Sequence, residues 1–149
     1  MTTHSEALSL VYGKLKTAIE AQAAAAIGYV PTIEYEGVEP DKHAKKTDVW
    51  LRCSTRGIVG RQMTLGTPAP GKHDYESVNM LFVQVFAPKK DGAAIVKLRK
   101  IAQIAQSAYR SVTAGNEVWF RDATIREQPP EPDWYQANVT VEYNYVETA

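Results

Sequence analysis

The chain has 149 residues, 44% of them hydrophobic, enough to bury one sizeable core and too few for two comfortable domains, so we read residues 1–149 as a single domain. Seventeen Lys+Arg balance seventeen Asp+Glu, which excludes a global field that would draw the protein to nucleic acid or an anionic membrane. A single cysteine, Cys53, excludes an intramolecular disulfide and CxxC-type zinc or redox chemistry. The opening MTTHSEALSL has neither a basic segment nor a long apolar run, and no stretch approaches the ~18 apolar residues of a membrane span. The expectation is a soluble protein with no membrane partner.

Thr3 and Glu6 stand at capping-box spacing. Behind them Leu8, Val11, Leu15, Ile19, Ala23 and Ala26 recur at three- and four-residue steps as far as Gly28, which predicts an amphipathic helix. TIEYEG, after Pro31, reads as a short strand, and EPDKHAKK (39–46) as a charged loop. DVWLRCST then alternates: Val49, Leu51 and Cys53 take one face, Trp50, Arg52 and Ser54 the other. From Arg56 to Ser77 the glycines and prolines predict a long excursion, a hairpin arm with RQMTL as its extended part. VNMLFVQVFAP is apolar on both parities and reads as a strand covered on both sides. Asp91 offers an N-cap to a second amphipathic helix marked by Ala94, Leu98, Ile101, Ala105, Ala108 and Val112, ending near Gly115.

NEVWFRDATI and DWYQANVTVEYNYV, separated by QPPEPD, complete the chain as two strands. In the last, Tyr135, Ala137, Val139, Val141, Tyr143 and Tyr145 share one face, and Trp134, Gln136, Asn138, Thr140, Glu142 and Asn144 the other. The predicted class is α+β: a mostly antiparallel sheet, two amphipathic helices and a long hairpin arm.

Chemistry is sparse. His4, His43 and His73 have no spacing that pairs two on one element, and KHDYE (72–76) reads as a polar turn more readily than as a cation site. Cys53 shares its parity with core residues and is expected to be inert. No nucleophile elbow, Walker A or dinucleotide glycine pattern occurs, so no catalytic residue, metal or cofactor is assigned and the protein is not expected to be an enzyme. Lys89, Lys90, Lys97, Arg99, Lys100 and Arg110 around the second helix read as a solvated face rather than a nucleic-acid surface.

The order D-V-W-L-R, Q-M-T-L-G in an arm, F-V-Q-V-F-A-P, an amphipathic helix and D-W-Y-Q-A-N-V-T-V-E-Y-N-Y resembles the tail terminator proteins of long-tailed bacteriophages, from about Trp50 to Tyr145 plus the leading helix. That resemblance implies a non-enzymatic virion protein at the head-proximal end of the tail, assembled in the host cytoplasm. It implies a homohexameric ring that caps the tail tube, stops its polymerisation and presents a surface to the head. The implied partners are further copies of the chain, the major tail tube protein and a head-completion or connector protein, with DNA passing the lumen unbound. Head-to-tail joining and tail completion proteins share the size class and the ring habit. A small monomeric enzyme or a nucleic-acid-binding module are the readings from other classes.

On the parity opposite the core lie Trp50, Arg52, Phe82, Gln84, Trp134 and Gln136, with Trp119 and Arg121 on a neighbouring strand. Aromatic and arginine residues with little other charge are typical of a protein interface. Two arrangements satisfy the pattern. The helices cover one face each, or both lie on one side and the other face meets a neighbouring subunit. The arm residues Arg56, Arg61, Gln62, Lys72 and His73 are the candidate contacts to the tube.

Overall fold

The computed structural model describes residues 2–37, 48–63, 71–110, 113–114 and 117–148. His43 and the whole 39–46 loop, residues 64–70 of the arm, Val112 and Gly115 lie outside them. The elements run α1 (His4–Ile27), β1 (Thr32–Tyr35), β2 (Trp50–Gln62), β3 (Asp74–Pro88), α2 (Ala94–Arg110), β4 (Thr113–Ala114), β5 (Val118–Glu127) and β6 (Trp134–Thr148). The strands form one six-stranded sheet in the order β1-β2-β3-β6-β5-β4. All pairings are antiparallel except β1 with β2. This is the expected α+β architecture.

α1 begins at the capping box, where the Glu6 amide donates to Thr3 Oγ1 and the Thr3 amide donates to Glu6 Oε2. It ends at Gly28, whose φ of 90° is the left-handed conformation that lets its amide reach the Ala24 carbonyl. The buried stripe is Ala7, Val11, Leu15, Ile19 and Ala23, a run of four-residue steps. Leu8, expected in that stripe, sits beside it and is half-buried, because the four-residue rhythm starts one position earlier.

α2 is entered through Asp91, whose side chain accepts from the Ala93 amide and whose carbonyl accepts from the Ala94 amide. The helix stops at Arg110, short of Gly115, and a two-residue strand, β4, follows against β5. β-branched Thr113 suits an extended chain better than another helical turn.

The 56–77 excursion is less loop than its glycines suggest. β2 runs on through Gly57 and Gly60 to Gln62, and β3 starts at Asp74, with a register shift between Gly57 and Val59. β6 follows β3 along its whole length, from Trp134 opposite Pro88 to Thr148 opposite Asp74. The arm is therefore the far end of a three-stranded ribbon. At ~3.4 Å per residue the fifteen residues of β3 span about 50 Å.

Both helices pack on the same side of this sheet. Their buried residues join Leu51, Cys53, Leu81, Val83, Val85, Val118, Phe120, Ala137, Val139, Val141 and Tyr143 in one core. The Tyr109 hydroxyl donates to the Val11 carbonyl at 2.6 Å and ties α2 to α1, while its ring meets Phe120 edge-on at 5.0 Å. Cys53 is fully buried in this core, and burial pushes its thiol up to about 12, far from a reactive thiolate. No helix among the described residues is long and apolar enough to cross a membrane.

Candidate assembly surface

The opposite face of the sheet carries no helix among the described residues. Register alone assigns its members. Trp50, Arg52 and Ser54 of β2 oppose Phe86, Gln84 and Phe82 of β3, which in turn oppose Gln136, Asn138 and Thr140 of β6. Trp119 and Arg121 of β5 oppose Asn144 and Glu142, and Trp134 opposes Pro88. All eight residues read from parity as interface candidates thus share one surface.

They do not share one environment. Trp50 stacks on Phe86 at 4.3 Å and 13°, and the edge of Trp134 meets it at 6.1 Å and 87°. The Arg52 guanidinium lies 5.2 Å from the Trp50 ring and 5.6 Å from that of Phe86, with Glu34 at 3.9 Å. Trp50 is consequently only 7% exposed. Its anchoring is within the chain. Trp119, on β5 away from this cluster, is 40% exposed and is the tryptophan most available to a neighbour. Phe86 was legible as a member of the face from its parity with Phe82 and Gln84, but its stacking on Trp50 depends on strand pairing.

Between the aromatic end and the arm the surface is a polar lattice. Gln136 donates to Asn138 at 2.8 Å, Arg121 pairs with Glu142 at 3.1 Å, and Asn144 donates to Glu76 at 3.4 Å. Arg61 closes on Glu76 at 2.6 Å, and its hydrogen bond, with that of Asn144, holds the Glu76 carboxyl below the ordinary carboxylate value. Half-buried Phe82, Met80 and Val78 are set among these groups. An ordered, half-apolar, hydrogen-bonded plane of this kind has the mixed character of a subunit contact.

The arm residues divide in two. Arg56 and Arg61 project on the open face, opposite Met80 and Glu76, while Gln62 pairs with Tyr75 near the tip. Lys72 is exposed and His73 half-buried just before β3. Sequence reading missed the apolar part of this end: Ile58, Val59, Met63 and Tyr75 are 53%, 47%, 53% and 39% exposed. The available signal was the pair Ile58-Val59 between two glycines, which a purely solvated loop has no need of.

The acids of the 72–76 segment are engaged elsewhere, Asp74 accepting from Thr148 at 2.6 Å and Glu76 paired with Arg61. No group of three or more His, Cys, Asp or Glu among the described residues is placed to hold a metal ion. A cleft of about 190 Å³ lies between α2 and β5, lined by Ala102, Ile125 and Ala137 and flanked by the Arg99–Glu127 ion pair.

No protein-family model matches the chain, and no curated protein matches it. A solved structure, of a protein designated only by a sequence identifier, is similar over 93% of this chain and 94% of its own, at 16% identity and a TM-score of 0.58. At that identity the likeness is one of fold.

Proposed function

We propose that the chain is a structural subunit of a phage tail: a terminator that closes into a ring on the head-proximal end of the tail tube, ends its growth and offers the joining surface to the head. The tail assignment rests on the resemblance of the strand and arm sequences to that family. One observation supports the assembly reading: both helices lie on one side, leaving the face of Arg52, Gln84, Gln136, Thr140 and Trp119 without a helical cover among the described residues. A sheet with one face packed and the other bearing half-buried aromatic and paired polar groups is completed by a neighbour. Identical head-to-tail contacts repeated about an axis close a ring.

Capping needs no bond chemistry. A ring whose one surface imitates the tube's growing end, and whose other surface does not recruit the next tube subunit, ends polymerisation by geometry. The arm, with Arg56, Arg61, Gln62, Lys72 and His73, is the part that docks on the tube, since it extends the ribbon at one end and mixes charge with exposed apolar side chains. The test mixes purified chain with polymerising tube subunits of its own phage and follows tube length by negative-stain microscopy, beside light scattering of the chain alone. The expected result is a closed ring, free or on tube ends, with tubes arrested. A particle that stays near 16.5 kDa at every concentration and leaves tube growth unaltered overturns the reading and favours a monomeric enzyme or binding module.

A further inference from the structure

Arginine and lysine are sorted between the two sides of the molecule. None of the described strands holds a lysine, whereas five of the seven arginines stand on the open face of the sheet: Arg52, Arg56, Arg61, Arg121 and Arg126. A solvated face takes lysine readily; arginine, with its planar fork of donors, is the cation that protein contacts favour. Three of the five are matched by carboxylates of the same face, Arg52 by Glu34 at 3.9 Å, Arg61 by Glu76 at 2.6 Å and Arg121 by Glu142 at 3.1 Å. Arg56 and Arg126 are exposed and have no hydrogen bond or ion pair among the described residues.

The surroundings of these two differ. Arg126 has polar neighbours on its face, Thr124 along the strand and Asn138 across from it. Arg56 lies opposite Met80 and shares its face with Val59 and Val78, and Val59 is 47% exposed. An unmatched charge therefore borders exposed apolar surface. What fits there is a segment that brings a carboxylate together with compact apolar groups and is already ordered.

The chain carries such a segment at the other end of the sheet. Pro129, Pro130 and Pro132 stiffen the turn between β5 and β6, and backbone bonds hold it: the Gln128 amide donates to Gln136 O at 2.9 Å, that of Glu131 to Trp134 O at 3.1 Å, and that of Lys89 to Asp133 O at 3.0 Å. Residues 129–133 are all exposed, and the Glu131 and Asp133 carboxylates have no partner among the described residues. The nearby Lys89 ammonium lies over the Tyr135 ring instead, at 5.3 Å. This turn cannot reach Arg56 of its own chain. Trp134 stands opposite Pro88 and Arg56 opposite Met80, eight residues apart on β3, which is about 27 Å at ~3.4 Å per residue.

We infer that the patch of Arg56, Val59 and Met80 on one copy receives the acidic proline turn, residues 129–133, of a second copy. The Arg56 guanidinium takes the Glu131 and Asp133 carboxylates, and the proline rings cover Val59 and Met80. This deepens the ring reading and rests on it. Turn and patch are different surfaces at opposite ends of β3, so the contact is head-to-tail, the kind that closes a ring when it repeats. Arg56, at the base of the arm, is then taken up by the neighbour, and the tube contact falls to Arg61, Gln62, Lys72 and His73 toward the tip.

The test is a charge exchange in the full chain, with assembly followed by light scattering over a concentration series and folding by circular dichroism. The three side chains are exposed, so every variant should keep the parent's spectrum and unfolding midpoint. Arg56→Glu, and the double variant Glu131→Arg with Asp133→Arg, should each weaken assembly by about tenfold or more, and combining all three should return it to within about threefold of the parent. Arg56→Gln should weaken it in the same direction without reversing the charge. Glu20→Arg, at an exposed carboxylate of α1, is the control for net charge, and an equal loss there overturns the pairing. Assembly unaltered in every variant overturns the inference and leaves the ring reading standing, as does loss that the combined variant fails to restore. Loss confined to tube capping, with free assembly intact, overturns the assignment of the occupant to a second copy. A parent chain that stays at 16.5 kDa, alone and with tube subunits, overturns both.

Discussion

Val139 and Thr140 are adjacent on β6 yet face opposite sides of the sheet, which makes the same substitution at each a direct measurement of what covers each face. Val139 is fully buried beneath the helices, between Val83 and Ile125. Val139→Asp forfeits the burial of the valine, about 1.5–3 kcal/mol, and adds several kcal/mol for a carboxylate without a partner. Against a total stability of about 5–15 kcal/mol for a domain, that change leaves little or no folded chain. Thr140 is half-buried between Phe82 and Thr124, and no helix among the described residues stands over it. Thr140→Asp keeps the carboxylate hydrated in the lone subunit, and the loss of a β-branched residue costs about 1 kcal/mol. Urea unfolding followed by circular dichroism should show Val139→Asp unfolded in buffer and Thr140→Asp with a midpoint close to the parent. Light scattering should show the Thr140→Asp chain folded but unable to assemble, since a neighbour would bury the charge. A Thr140→Asp chain that unfolds like Val139→Asp would show that the face is sealed by its own chain. One that folds and assembles like the parent would remove this face from the interface.

Trp50→Ala should cost about 3–5 kcal/mol in denaturant unfolding, since the indole is stacked on Phe86 and edged by Trp134; Trp119→Ala, 40% exposed, should cost less than about 1 kcal/mol and act on assembly instead. For the same reason Trp119→Glu is a cleaner probe of assembly than Trp134→Glu, which disturbs the aromatic cluster of the subunit. Thr3→Ala removes one arm of the α1 capping box and should lower stability by about 1 kcal/mol, read as a shift in melting temperature. In alkali, burial raises Cys53, Tyr35 and Tyr143 to about 12 from ordinary values of 9.0 for the thiol and 10.0 for the phenols. These groups stay protonated in the folded chain while the unfolded chain ionises. Their contribution is whole below about pH 9 and is lost as pH rises toward about 12, so the melting temperature should fall across that window, and less steeply in Cys53→Ala. A flat profile there would contradict the burial of these groups.

Much of the architecture was legible in the residues because local rules act over a few positions. Thr3, Glu6 and Gly28 bound α1 through capping bonds and a left-handed turn that neighbours in sequence can make. The period of two in 133–146 sorted the faces of β6 correctly, and the same parity gathered the eight candidate interface residues on one surface. The end of α2 and the length of β2 were not legible in this way. Glycines at 57 and 60 signal a loop by local propensity, but pairing with β3 along one whole side holds that segment extended.

What the sequence determined by itself was membership: which residues form each helix stripe and which share a strand face, since backbone periodicity imposes this before any element meets another. Only tertiary structure decided where those faces went. α1 and α2 each present one apolar stripe, and that pattern fits a helix on either side of the sheet. Both sit on one side because Tyr109 reaches the Val11 carbonyl and the two helices bury their stripes over the same set of strands. The same step made Trp50 an internal anchor and Trp119 an exposed one, although they share a parity, because stacking depends on which strand lies alongside. Edge character is decided at that level too: β1 pairs with β2 only from Trp50 to Cys53, and α2 brings Gln106 to the Ala123 carbonyl of β5.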